Sequence, residues 1–228
     1  LTYGRAAGSL LGETRRLMRR KTLERLLGAL EAHPSPKSYL EQYTIPAGLA
    51  ARILTLAAYT YNDIEGKTVY DLGCGAGRLA IGAALLGARQ VVGIDVDPTA
   101  IRMAKRNVAR LKLRETVDLI AGDIAALDGF CDVVIQNPPF GTKRRGTDMV
   151  FLSKALEVGR VVYSLHKSVT DAYVRRFAEE REALVTAIFM TEIEIPRLYE
   201  FHRRGKYRVA VNLYRFERPL RGRVQPNS

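Results

Sequence analysis

At 228 residues with 47% apolar side chains, the chain has room for one α/β domain and an accessory segment. Its apolar runs fall far short of the roughly 20 residues that a membrane-spanning helix requires. The formal net charge is +12, with 27 arginines against nine lysines; this suits a polyanionic partner because the planar guanidinium grips phosphate bidentately, a solvated basic surface being the bland alternative.

Residues 10–32, LLGETRRLMRRKTLERLLGALEA, set Leu10, Leu17, Leu23, Leu26, Leu27 and Leu30 among arginines at roughly helical spacing, which predicts a basic amphipathic helix. Its two uses stay open at this point: lying against nucleic acid, or packing one face on the core. HPSP at 33–36 stops that helix. From residue 67 the pattern alternates, with strands expected at 67–72, 90–95, 116–121, 131–136, 160–165, 183–195 and 208–216 and helices at 78–87, 99–112 and 168–182. Apolar, β-branched runs separated by helices indicate an α/β fold with parallel strands covered on both faces. The expected organisation is a basic helical extension over 1–36, a catalytic domain over 37–218 and a tail over 219–228. Two cysteines without a C-x-x-C pair signal neither a disulfide framework nor a zinc site of the chain's own. Residues 1–20 carry no signal-peptide pattern, so a cytoplasmic setting is expected.

VYDLGCGAGRLA places Asp71 at the end of the first strand of this alternation and Gly73, Gly75 and Gly77 in the turn before a helix, where glycine lets the backbone approach a ligand. Arg78 stands where a dinucleotide fingerprint would have its third glycine, which disfavours a pyrophosphate ligand. This G-x-G-x-G turn after an acid resembles the S-adenosylmethionine site of class I methyltransferases, and Asp95 in GIDVD and Asp123 in AGDI add two acids at the ends of successive strands. On that resemblance Asp95 accepts from the ribose hydroxyls and Asp123 from the adenine amino group, with Cys74, Val96 and Ile124 beside them. Each aspartate taken alone also reads as a helix N-cap or a turn residue.

Asn137 opens NPPF at the end of the next strand. An amide cannot act as a general base, so its work is hydrogen bonding. Asn137 and the carbonyl of Pro138, held by the fixed backbone of Pro138 and Pro139, form a pair of acceptors, and Phe140 offers a face for a base. Two acceptors on an exocyclic amine localise its lone pair for in-line attack on a methyl group, and adenine N6 is such an amine once the base is extruded.

LEQY, DLGCGAGRLAIGAALLGA, GIDVD, NPPFGTKRRGTDMVFL, VYSLHKS and FHRR together resemble the methyltransferase-like protein 5 family, adenine-N6 methyltransferases of small-subunit ribosomal RNA. The resemblance covers about residues 20–217. It implies a seven-stranded Rossmann-like sheet, S-adenosylmethionine as cofactor with no metal, and a small zinc-binding activator protein. It also adds Gln42, Tyr43 and Thr44 to the cofactor residues, although the family has its threonine two places after the tyrosine and here Thr44 follows Tyr43 at once.

Lys143, Arg144 and Arg145 directly follow the catalytic turn and are expected to grip RNA phosphates, with His166 and Lys167 at the edge of the substrate pocket and Arg203 and Arg204 in a second basic run that continues to Lys206 and Arg208. The expected partner is ribosomal RNA or a small-subunit precursor, with no membrane. The third strand of the class I topology is expected at a sheet edge, open to a partner strand from the activator. Three rival readings are a protein glutamine methyltransferase, a DNA adenine methyltransferase and a ribosome-assembly factor that binds RNA.

Overall fold

Side chains of successive strand residues point to opposite faces of a sheet, and this parity divides the apolar residues here into two cores. Val133 and Ile135 enter one, Val134 the other; Val161, Tyr163 and Leu165 enter the first, Val162 the second. The computed structural model describes residues 17–33, 44–140, 146–196 and 206–219. In chain order these form α1 (Arg20–Gly28), α2 (Ala47–Tyr59), β1 (Thr68–Leu72), α3 (Arg78–Leu85), β2 (Gln90–Asp95), α4 (Pro98–Arg110), β3 (Val117–Ala121), β4 (Cys131–Gln136), α5 (Thr147–Val158), β5 (Gly159–Lys167), α6 (Asp171–Glu179), β6 (Leu184–Pro196) and β7 (Lys206–Glu217).

The seven strands form one sheet in the order β3-β2-β1-β4-β5-β7-β6. β1 to β5 are parallel, and β7 runs antiparallel between β5 and β6. The chain leaves β1 toward one edge and β4 toward the other, so these neighbours form the topological switch point, where open α/β sheets bind ligands beyond the carboxyl ends of the strands. β3 is an edge strand, as the class I topology requires.

Helices α1, α2, α3 and α4 contribute to the core on one face, α5 and α6 to the core on the other. Leu23 and Leu27 of α1 are fully buried, one turn apart, and Leu30 joins them, so this part of the expected leucine seam packs on the sheet domain, whereas Leu17 precedes the helix and is exposed. Residues 10–16 of that expected helix lie outside the described residues. Gly82 of α3 permits this packing, because a Cβ there would overlap Leu54 of α2 and touch Leu27 of α1. Pro98 opens α4 behind Asp97, whose carboxylate accepts from the Thr99 amide at 3.0 Å and caps the helix.

Three differences from the sequence expectation bear on the site. α2 and α5 are additional helices, and β5 runs two residues past its expected end, through His166 and Lys167. On the α2 face, Asp63, Tyr163 and Arg215 form a buried ionic cluster. Tyr163 donates to Asp63 at 2.6 Å and Arg215 Nε donates to the same oxygen at 2.9 Å, tying the end of α2 to β5 and β7.

Candidate active site

Adjacent β1, β2 and β4 end together, and their carboxyl-terminal residues Asp71, Asp95 and the following Asn137 line one cavity of about 410 Å³, a size usual for small-molecule sites. Of the sequence-predicted residues, Thr44, Gly73, Cys74, Gly75, Val96, Asp123, Ile124 and Pro139 line it as well. Gly77 lies outside the lining, at the N-cap of α3. Gln42 and Tyr43 fall outside the described residues.

Asp71 is 1% exposed, and its Oδ2 accepts from the Ala80 amide at 2.9 Å. Burial drives its pKa up to about 7; the Ala80 hydrogen bond works against this and the Asp95 charge adds to it. Asp95 accepts from the amides of Gly75 and Asp97, each at 2.9 Å. Burial raises its pKa too, against those two bonds. Each carboxylate oxygen keeps a second lone pair, so Asp95 can still accept from hydroxyl groups. Asp123 is exposed and accepts from the Ala125 amide at 2.9 Å, so it caps a short helical turn and faces the cavity at once.

Gly73 holds φ +71, a left-handed conformation that costs other residues strain, and a Cβ on it would lie 2.9 Å from the Phe151 ring of α5. The cavity is therefore closed at this point by an aromatic side chain from the far side of the catalytic turn.

His33, Arg78 and Phe151 line the cavity without having been singled out for it in the sequence. His33 Nε2 lies 3.0 Å from Asp97 Oδ2, and its segment is latched by buried Asn107, which accepts from the Glu31 amide at 2.9 Å and donates to the Ala76 carbonyl at 3.0 Å. The chain leaving α1 is thus part of the cavity wall. Arg78 donates to the Ile45 carbonyl, while its Nε is buried without a hydrogen-bond partner, and burial lowers its pKa. In the sequence Arg78 signals only the absence of a third glycine.

The chain shares 39% identity over 209 residues with rRNA N(6)-adenosine-methyltransferase Mettl5 of Drosophila melanogaster, covering 89% of this chain and 97% of that protein. The zebrafish (Danio rerio) protein of the same description is 36% identical over 205 residues, covering 87% and 99%. The chain belongs to the methyltransferase-like protein 5 family. The solved structure of PH1948 from Pyrococcus horikoshii is similar to this family member with a TM-score of 0.81 and 39% identity, covering 88% of this chain and 98% of that one. A family model for ribosomal protein L11 methyltransferase matches residues 52–138, a span that ends within the NPPF turn.

Around that turn, two expectations for this member of the family are corrected. His166 was expected at the RNA surface, but β5 extends through it between β4 and β7, and it is completely buried. Phe140 was expected to offer a stacking face, but its ring is 5% exposed within the core on the α2 side, with the partly buried Lys167 ammonium 6.0 Å from the ring centroid. Its ring anchors the turn. Pro138 is likewise buried. Lys143, Arg144, Arg145, Arg203 and Arg204 lie outside the described residues. Arg208 is exposed and sits within 4.0 Å of Glu192 and 3.7 Å of Glu194, as on a solvated face. Among the described residues no helix is long and apolar enough to cross a membrane.

Proposed function

We infer that the protein transfers a methyl group from S-adenosylmethionine to N6 of an adenosine in small-subunit ribosomal RNA. The observation that carries this reading is Asn137, first residue of NPPF, lining the same cavity as Asp71, Asp95 and Asp123 in a chain that aligns over almost its whole length with rRNA N(6)-adenosine-methyltransferases. The L11 methyltransferase match covers the cofactor half and only the first two residues of NPPF, Asn137 and Pro138.

The donor set fits S-adenosylmethionine. The cavity has the volume for a nucleoside-sized ligand, acceptors at strand ends for hydroxyl and amino groups, and two buried carboxylates that a cationic ligand would compensate. Bound there, S-adenosylmethionine supplies an electrophilic methyl group on a sulfonium centre. Asp95 holds the ribose hydroxyls and Asp123 the adenine amino group. The Asn137 amide oxygen and the Pro138 carbonyl accept the two N–H groups of the target adenine, which localises the nitrogen lone pair and orients it. The proline-fixed backbone preorganises these acceptors, so catalysis rests on positioning and electrostatics. The buried Phe140 ring holds the turn against the core.

Lys143, Arg144 and Arg145, directly after the turn, grip phosphates flanking the extruded adenosine, and Lys167, Arg203 and Arg204 extend this contact. A ribosomal substrate and two buried free thiols, Cys74 and Cys131, support a cytoplasmic location. A small zinc-binding activator pairs with β3, an edge strand that carries exposed Ile120. An isolated chain that is soluble and fully active, with no gain from added activator, overturns that last point. The test of the whole reading is methyl transfer to ribosomal RNA, compared between the wild type and Asn137→Ala.

A further inference from the structure

On the sheet face covered by α5 and α6, the even-numbered positions change from apolar to polar at the carboxyl ends of β4 and β5 and at Asn212, which pairs with His166 in antiparallel β7. Gln136, Ser164, His166 and Asn212 are all buried there, and neither the cofactor cavity nor the proposed RNA contact uses them. Burying such groups costs free energy unless they are paired, so their retention calls for a physical reason.

Three of them, Gln136, Ser164 and His166, form a chain, while Asn212 bonds to Ser168, Asp171 and Tyr214. Gln136 Nε2 donates to Ser164 Oγ at 2.9 Å, and that oxygen lies 2.8 Å from His166 Nε2. The serine hydroxyl can donate its proton to Nε2 when the imidazole carries its own proton on Nδ1. Burial favours the neutral imidazole, with Asp148 pushing the other way, and the Asp148 carboxylate on the Nδ1 side favours the tautomer protonated there. Nδ1 faces Asp148 Oδ2 at 3.6 Å, within ion-pair reach but too long for a hydrogen bond. Among the described residues three buried side-chain nitrogen or oxygen atoms lack a hydrogen-bond partner, and two of them, Gln136 Oε1 and His166 Nδ1, belong to this chain. The unmet bonding is concentrated behind the turn.

The two ends of the chain flank the substrate side. Gln136 immediately precedes Asn137, and Asp148 stands in the first turn of α5, just after the basic segment that follows NPPF. We propose that His166, with Ser164 and Asp148, is a positioning residue for methyl transfer, fixing the Asn137 end of the catalytic turn relative to the start of α5. The inference rests on the methylation reading for its turnover readout alone.

The test compares Asp148→Asn, Ser164→Ala, His166→Asn and His166→Gln with the wild type in steady-state methyl transfer, cofactor binding and amide hydrogen exchange. Asparagine retains a donor on the Nδ1 side, and glutamine an acceptor on the Nε2 side. Each variant is expected to lose about 10- to 100-fold in kcat while the Kd for S-adenosylmethionine stays within about twofold, because a small misplacement at a reacting centre costs rates of that order. The Asp148→Asn/His166→Asn double variant is expected to be no worse than the poorer single variant, as for groups acting as one unit. Loss of kcat in step with melting temperature, or kcat within about threefold of wild type, overturns the proposal. If the wild type transfers no methyl to RNA, the methylation reading fails and hydrogen exchange still decides this one. The amides of Asn137 and Phe140 are expected to exchange faster in the variants while β1 and β2 remain protected, and unchanged exchange there overturns it.

Discussion

Asp71 and Asp95 end neighbouring strands as two buried carboxylates in one cavity, and the charge of Asp95 adds to the burial that lifts Asp71 to a pKa of about 7. A cationic ligand relieves both costs, but only if Asp71 is ionised. Below pH 7 a proton must leave Asp71 before such a ligand binds, so affinity falls as pH falls. Between pH 8 and pH 6 the Kd for S-adenosylmethionine is expected to rise about tenfold by calorimetry, and the Asp71→Asn variant is expected to bind weakly and without this pH dependence. The unliganded protein responds the other way. Its Asp71 holds a proton that the unfolded chain releases above the ordinary carboxylate range, so this group lowers stability as pH rises from about 4 to 7.

Gly73 makes the cavity sensitive to a single methyl group. Gly73→Ala meets both the positive φ and the Phe151 ring, and is expected to weaken S-adenosylmethionine binding by about 10- to 100-fold, in line with about 1–3 kcal/mol of backbone strain plus the clash. Adding Phe151→Ala removes the clash and leaves the strain, so binding titrations on the double variant are expected to show partial recovery.

Fold legibility followed chemistry that is local in sequence. The strands from β1 to β4 stood out as β-branched runs between amphipathic helices, and Asp71, Asp95 and Asn137 as polar residues closing them. α2 did not stand out, because AGLAARILTLAAY buries small and apolar residues around most of its circumference and shows no clear polar face. His166 was misread because VYSLHK ends in two polar residues that resemble a strand terminus, whereas pairing with β7 carries β5 through both of them. His33 and Phe151 reach the cavity from distant segments of the chain, and no spacing rule connects them to the glycine turn.

The Asp63–Tyr163–Arg215 cluster predicts a stability effect away from the site. Arg215→Met leaves the Asp63 carboxylate and the Tyr163 hydroxyl buried beside an apolar chain, and is expected to cost about 3–5 kcal/mol in denaturant unfolding. Tyr163→Phe removes two hydrogen bonds, the one donated to Asp63 and the one accepted from Arg215 Nε, and is expected to cost about 1–3 kcal/mol.

Phosphate gripping by Lys143, Arg144 and Arg145 predicts salt-sensitive association. Replacing all three by alanine is expected to lower RNA affinity at low salt and to reduce the slope of log K against log salt by about 2, since a single-stranded contact contributes about 0.7 per phosphate. Binding of S-adenosylmethionine is expected to be unchanged. An unaltered slope in fluorescence titrations removes these residues from the RNA contact.

The most direct measurement is nucleoside analysis of small-subunit ribosomal RNA after incubation with labelled S-adenosylmethionine, with the activator supplied, for the wild type and for Asn137→Ala. Label in N6-methyladenosine from the wild type, with Asn137→Ala folded, cofactor-bound and at least about 100-fold slower, is the predicted result. Label in any other nucleoside, or equal turnover by the variant, contradicts the assignment of the NPPF turn to the adenine amine.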